Sequence, residues 1–504
     1  MEFIAEGLNA VFSVGNLLLI LGGTALGIVF GSVPGLTATM AVALCLPATY
    51  AMNSISAMCL LVGLYIGGIS GGLVSAVLLK IPGTPSSIAT TFDGNPMAER
   101  GEAGKALSVG IWASFLGGFF SLCVLMFIAP LLAGIAVRFT PYDYFSVILF
   151  SLTMISSLSG KSLKKGIMAG MLGIFLSFVG GDPIDGKVRF TFGIRSLDSG
   201  FATLPVVIGL FAVTEVFDTA RNAYRLQRGA NVKYQIGNSR LKFADVKDQG
   251  ANFLRSWAIG LGIGILPGIG GGVSNLISYT TSKRRSKHPE IYGTGCVDGI
   301  IASETANNAT IGGAMVPLLS LGIPGDAITA VLIGAFMIHG ISPGPLLFMT
   351  EKTLVYAIFA ALMVANVMMF LLMMAGKRAF TRLLRIPRHI LLPLVLAVCM
   401  VGAYGNNNRM FDVYVVLAFG MIGLIMKQFQ YPVAPMVMGM ILGTNLEQYY
   451  RRSLMFSNGS FVPFITHPIS GLFLAISVGS VLLTAVKQKN SGKKGQKEKI
   501  EKGC

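Results

Sequence analysis

Four proline–glycine pairs are the residues best placed to do chemistry in this otherwise apolar chain: Pro34-Gly35, Pro82-Gly83, Pro267-Gly268 and Pro324-Gly325. Proline removes a backbone donor and glycine permits positive φ, so each pair interrupts a helix and frees backbone amides and carbonyls. Lipid cannot satisfy such groups, which must then face protein, water or a ligand. Polar residues lie beside every break. Thr37 and Thr39 follow the first, and GTPSSIATTFDG at 83–94, with Thr84, Ser86 and Ser87, follows the second. GIGGGVSN at 268–275 supplies Gly271, Ser274 and Asn275, and SETANNATIGG at 303–313 supplies Ser303, Thr305, Asn307 and Asn308. Their oxygens can hold sodium and their amides can donate to a carboxylate. Helix N-termini starting at the breaks add positive dipole ends that favour anions. These residues form the expected substrate- and ion-binding set. The structural alternative is helix kinking, or close packing by small residues.

Few charges accompany this set. Lys80, just before Pro82, can meet an anionic substrate or snorkel to an interface. Asp298 and Glu304 flank the last polar cluster and are candidate proton or cation carriers, or helix caps. Asp326, after Pro324-Gly325, reads as a cap. Enzyme signatures are absent: there is no GxxxxGK[ST] and no HExxH, and GIGGG does not fit GxGxxG. The histidines at 288, 339, 389 and 467 are far apart, and the six cysteines contain no CxxC pair. No catalytic residue, cofactor or resident metal is expected; a transported sodium or proton is the only ion implied.

The elements that position these residues follow from composition. Of 504 residues, 53% are apolar and 12% charged, and mean hydropathy is +0.70. A soluble chain carries about a quarter charged residues. Apolar runs recur near 14–32, 36–52, 56–80, 106–137, 143–159, 163–180 and 201–219. They resume at 256–280, 309–322, 326–348, 353–376, 389–404, 411–427, 432–446 and 468–486. Such continuous runs exclude a β-barrel. The expected fold is an all-α polytopic membrane protein with ten to twelve crossings plus re-entrant or broken helices.

The net charge of +17 comes from basic residues between apolar runs and at the C-terminus, as the positive-inside rule produces, so nucleic acid is not a partner. Basic segments at 161–165, 220–255, 376–388 and after Val486 are expected in the cytoplasm. The 487–504 tail reads as disordered, and MEFIAEGLNA does not read as a signal peptide.

The breaks are duplicated. GSVPG at 31–35 matches GILPG at 264–268, 233 residues on; the two IPG motifs lie 242 apart, each after a Gly-Gly pair. Asp143 with Asp412 and Gly170 with Gly439 match at 269. The halves are expected at 14–219 and 256–486, separated by the 220–255 loop. Corresponding loops differ in positive charge, which implies inverted topology, as in secondary transporters.

The stretch GLGIGILPGIGGGVSN…DGIIASETANNATIGGAMVPLLSLGIPGDAITAVLIGAFMIHGISPGP resembles the large membrane (permease) subunit of tripartite tricarboxylate transporters. FGSVPGLTATMAVALCLPATY…GLYIGGISGGLVSAVLLKIPGTPSSIATTFDGNPMAERGEAGKAL is similar to the same family, and the order of segments fits over about residues 10–485. The resemblance implies a secondary transporter of tricarboxylates or related organic acids in a bacterial cytoplasmic membrane. It implies a small membrane subunit and a periplasmic substrate-binding protein as partners, and a sodium or proton gradient as the driving force. A passive channel and an intramembrane enzyme are the rival readings.

Overall fold

The computed structural model describes residues 2–158, 162–227, 247–380 and 388–501. Lys161, Arg228, Lys233, Arg240, Lys242, Arg382 and Arg385, which lie in the basic segments expected in the cytoplasm, fall outside them.

The chain is helical almost throughout. In order come α1 (Glu2–Val11), α2 (Val14–Ser32), α3 (Ala38–Thr49), α4 (Ser54–Leu79), α5 (Thr90–Glu99) and α6 (Ala103–Ala136). Next are α7 (Pro141–Leu158), α8 (Leu163–Ser177), a two-residue hairpin of β1 (Gly180–Gly181) and β2 (Val188–Arg189), α9 (Thr203–Val207) and α10 (Thr214–Gln227). A π-helical turn at Ile208–Val213 joins the last two. The remainder holds α11 (Gly250–Ile265), α12 (Gly270–Arg285), α13 (Val297–Leu321), α14 (Ala327–Ile338), α15 (Leu347–Thr350) and α16 (Lys352–Gly376). It ends with α17 (Arg388–Asn407), α18 (Met410–Gln428), α19 (Val433–Phe456), α20 (Val462–Thr466) and α21 (Pro468–Glu501).

Among the described residues, six helices are long and apolar enough to cross a membrane, and four shorter ones are apolar. The protein is an all-α, multi-pass membrane protein. Two differences from the expected spans have physical causes. The run 256–280 is two helices, because Pro267-Gly268 ends α11 and Gly270 starts α12. α13 has 25 residues and starts at Val297, twelve residues before the apolar run that marked it. Its first half carries Ser303, Glu304, Asn307 and Asn308, which a hydropathy window rejects. A third difference lies at the end of the chain, where the helix continues to Glu501 through much of the tail read as disordered.

The duplicated motifs fold alike, down to single atoms. Gly35 and Gly268 both take positive φ, at 93° and 77°. α4 ends on Lys80 and α13 on Gly322, both left-handed, at 57° and 72°. Thr84 N–H donates to Ser87 Oγ at 3.3 Å, as Asp326 N–H donates to Thr329 Oγ1 at 2.8 Å. Each of those hydroxyls returns a bond of 2.9 Å to the carbonyl of Thr84 or Asp326. A Cβ on Gly27 would strike Leu64 O, and one on Gly260 would strike Ala306 O. The same offsets of 233 and 242 recover every one of these pairs.

Direction separates the true mates. Trp112 stacks edge-on to Phe370 at 4.6 Å while Phe115 O accepts from Asn366, so α6 and α16 run opposite ways. Gly117 touches Thr305 and Ser121 touches Gly312, so α6 and α13 run together. The Gly170/Gly439 match does not fit an antiparallel pattern. Gly439 packs on Gly170, and Gly443 on Ile174 and Ser177, so α8 and α19 run in the same direction. Inverted mates lying side by side would be antiparallel, so the contact of α8 with α19 sets the Gly170/Gly439 similarity apart from an inverted repeat.

Contacts divide the chain into two compact units: Met1–Val137 with Leu204–Leu424, and Arg138–Thr203 with Ile425–Cys504. The first holds all four breaks. The second is built from α7, α8, α19 and α21, with Ser146 and Ser470 hydrogen-bonded at 2.6 Å and Asp143 Oδ1 2.8 Å from His467 Nδ1.

Candidate functional site

The first unit positions the site by letting broken segments bury themselves against unbroken helices. Gly83 presses on the carbonyl of Gly31 and on Gly72, and a Cβ at Gly325 would sit 2.8 Å from the carbonyl of Gly264 and 2.5 Å from Ala314 Cα. No side chain fits in either place. Pro34 and Pro324 are buried and Pro82 is half-buried. Part of the backbone that the breaks release is satisfied internally. Thr219 Oγ1 donates to Gly35 O at 3.0 Å, and Gly268 N–H donates to Gly325 O at 2.8 Å.

The breaks of the two halves meet one another. Asn275 donates its side-chain amide to Ser86 O. Gly271 lies against Ser86 and the Asn307 side chain, where a Cβ would be 2.8 Å from each. Ser70 on α4 donates to Asn308 Oδ1 at 2.6 Å, and Tyr65 donates to Asp326 Oδ2 at 2.6 Å. Thr90 Oγ1 contacts Ser303 at 3.0 Å and Glu304 Oε1 at 2.5 Å, while Ser114 donates to Glu304 Oε2 at 3.0 Å. Ser274 is within 2.8 Å of Thr310, and Thr84 within 3.0 Å of Ser86. Ser86, Ser87, Ser274, Asn275, Ser303, Glu304, Asn307 and Asn308 are all buried.

Several polar atoms in this interior are unfilled. Both Asn307 amide atoms, Asn275 Oδ1 and Thr305 Oγ1 have no hydrogen-bond partner among the described residues. The Asn307 amide faces the Glu304 carboxyl without completing a hydrogen bond. A buried, unpaired amide costs about 1–3 kcal/mol. Native interiors carry few such groups, and one that persists calls for an explanation such as a ligand or water.

Other expected site residues stand elsewhere. Lys80 is exposed, and its ammonium lies 4.0 Å from Glu99. Thr37 caps α3 by accepting from Met40 N–H at 3.1 Å, and Thr39 is half-buried beyond it. Asp298 sits in the first turn of α13, where Gln249 donates to it at 2.7 Å. Asp326 is the cap it was read as, and Tyr65 adds a bond to its second oxygen.

Sequence reasoning passed over Tyr65, Ser70 and Ser114. They are single polar residues inside apolar helices, with no spacing signal. Asp93 was passed over too: it accepts from Tyr279 and from the amides of Gly293, Gly295 and Cys296, tying the 286–296 loop to α5.

Residues 17–438 match the model of the tripartite tricarboxylate transporter TctA family. An uncharacterized 52.8 kDa protein from the TAR-I ttuC' 3' region of Agrobacterium vitis is 32% identical over 480 residues, which is 95% of each chain. A second A. vitis protein, from the TAR-II ttuC' 3' region, is 33% identical over 221 residues, covering 44% of this chain and 91% of its own. No solved structure matches. The family match spans both pairs of breaks, and the TAR-I relative matches 95% of the chain: this chain belongs to the tripartite tricarboxylate transporter TctA family and is a membrane subunit of such a transporter.

Proposed function

We propose that this subunit imports carboxylates by ion-coupled alternating access, with the solute held where the broken segments of the two halves meet. The single observation that carries this reading is the unpartnered Asn307 amide, 1% exposed, between Gly271, Ser86 and Glu304. The site comprises Thr84, Ser86, Ser87, Gly271, Ser274, Asn275, Ser303, Thr305, Asn307 and Asn308. Pro34-Gly35, Pro82-Gly83, Gly268 and Pro324-Gly325 shape it.

Charge dictates the coupling. A bare carboxylate deep in a bilayer is expensive, and a cation carried with it lowers the cost. The asparagine and serine oxygens suit sodium, and Glu304, held by Thr90 and Ser114, suits a proton or a cation. The opposed direction of α6 and α16 supports an inverted repeat, the arrangement that lets one site open to either face. The family implies delivery by a periplasmic binding protein and assembly with a small membrane subunit. It also implies residence in the bacterial cytoplasmic membrane, with the C-terminus inside.

The test is uptake of radiolabelled citrate and related di- and tricarboxylates. Proteoliposomes would contain both membrane subunits and the cognate binding protein, with and without sodium or proton gradients. Gradient-dependent accumulation above the external concentration is expected. Equilibration without accumulation would favour a channel, and chemical conversion of the solute would favour an enzyme.

A further inference from the structure

The segment after α8 carries a feature that transport at the breaks does not use. Val188, Phe190, Phe192 and Ile194 stand at alternate positions with Arg189, Thr191 and Gly193 between them; Val188–Arg189 is the strand β2, and the chain turns through 190–193. The four apolar side chains are exposed, Phe192 by 87%. Arg189 turns the other way. It makes two bonds to the Glu447 carboxylate, at 2.8 and 2.9 Å, and an ion pair of 3.2 Å to Asp182. Arg451 clamps Asp182 at 2.8 Å and Asp185 at 2.5 Å. A charged base therefore fixes the hairpin to α19 and leaves the four apolar side chains exposed. Phe190 and Phe192 hold φ of 55° and 50°, a left-handed backbone disfavoured for bulky residues. The fold keeps both rings outward despite that cost.

This face continues another. Phe190 packs on Phe175 at a centroid distance of 5.4 Å. Met168, Met171, Leu172 and Phe175 form an exposed stripe on α8 at i, i+3, i+4 and i+7. At the opposite end of that helix, Lys165 donates to Phe429 O and lies 5.2 Å from the Tyr431 ring. A lysine with an aromatic partner suits one membrane interface. With Lys165 at one interface, the 15 residues of α8, which rise about 22 Å, would set the hairpin near the far boundary of a hydrocarbon layer about 30 Å thick rather than out in bulk water.

We propose that Val188, Phe190, Phe192 and Ile194 rest in the interfacial layer of the bilayer, on the face opposite the 161–165 loop. They form an amphipathic hairpin that holds the α8–α19 unit at a fixed depth. The partner is the lipid surface. The charges along 182–198 balance, Asp182, Asp185 and Asp198 against Lys187, Arg189 and Arg195, so apolar area rather than headgroup charge supplies the binding. This inference stands apart from the transport reading.

The experiment places a tryptophan at the tip. Trp112 and Trp257, the chain's two tryptophans, are replaced by phenylalanine and Phe192→Trp is added. The protein is reconstituted into phosphatidylcholine vesicles with or without phosphatidylglycerol. Blue-shifted emission is expected, with strong quenching by lipids brominated near the headgroup, weaker quenching by deep bromines, and iodide quenching severalfold below that of free tryptophan. Quenching is expected to change little with anionic lipid. Red-shifted emission open to iodide and blind to brominated lipid would overturn the proposal and mark the face as a soluble protein's docking surface. If the tryptophan-free background is not monodisperse, the difference between Phe192→Trp and the natural protein reports the same quantities. Val188→Trp serves as an independent position on the same face.

Discussion

Asn275, in the second turn of α12, donates its side-chain amide to the backbone carbonyl of Ser86, in the loop that follows the second break. The bond joins the two halves of the duplication through a residue whose other amide atom, Oδ1, is unfilled. Asn275→Ala leaves Ser86 O buried without that donor, a loss of about 1–3 kcal/mol. Uptake in proteoliposomes is expected to fall roughly tenfold or more, since 1.4 kcal/mol is a factor of ten, while membrane insertion is normal. Asn275→Asp removes the donor and adds charge, and is expected to be worse.

The glycines at the breaks make a paired prediction. Gly83→Ala and Gly325→Ala each drive a methyl into a backbone carbonyl, Gly31 O or Gly264 O, that cannot step aside. Overpacking of this kind costs about 1–3 kcal/mol. Both variants should lower the unfolding temperature in detergent and reduce uptake, and to similar extents, because the two environments are equivalent. Gly134→Ala, with nothing within 4 Å of its Cβ, is the control and should retain both. A fall in stability at only one of the two breaks would contradict the equivalence.

Lys80 tests the boundary of the site. Its left-handed backbone stands where the other half has Gly322, and its exposed ammonium faces Glu99. Lys80→Gly relieves a conformation costing about 1–2 kcal/mol for an L-residue, partly offset by glycine's extra freedom when unfolded. Stability is expected to hold or rise by about 0.5–1 kcal/mol on this balance, and carboxylate uptake to persist. Loss of uptake with unchanged stability would instead place the ammonium on the substrate's path.

The duplication was legible in the sequence because proline and glycine break patterns visibly. Pro34-Gly35 and Pro267-Gly268 announce positive φ and a missing donor without any knowledge of neighbours. Glu304, Asn307 and Asn308 were legible as candidates but not as part of a long helix, because burial among partners such as Thr90, Ser114 and Ser70 is what permits them in the protein interior. Those partners come from α5, α6 and α4, and no local signal links them. The Gly170/Gly439 match illustrates the reverse failure: the two resemble each other because both let helices approach closely, a requirement that recurs wherever α8 and α19 touch. Sequence similarity at single glycines reports packing as readily as descent.

The hairpin base carries a pH prediction. The amides of Asp185 and Ile184, then the Arg451 and Arg189 guanidinium groups, hold the Asp182 carboxyl down at about 2 from an ordinary 3.8. A depressed pKa contributes stability that is fully present above the ordinary value and is lost as pH falls through the lowered one. Hydrogen exchange at 180–189 should therefore be equally slow at pH 7 and pH 5, after correction for intrinsic rates, and quicken below about pH 3.8. Asp182→Asn should quicken it at every pH.

The most direct measurement of the central claim is ion-dependent carboxylate uptake by Asn307→Ala, reconstituted with its partner subunit and binding protein. If the buried amide is where the two broken halves grip the solute or its cation, insertion and folding will be normal, while concentrative uptake collapses or its dependence on sodium or proton gradient changes. Uptake equal to that of the natural protein, with the same ion dependence, would show that the unpaired amide between Gly271 and Ser86 takes no part in transport.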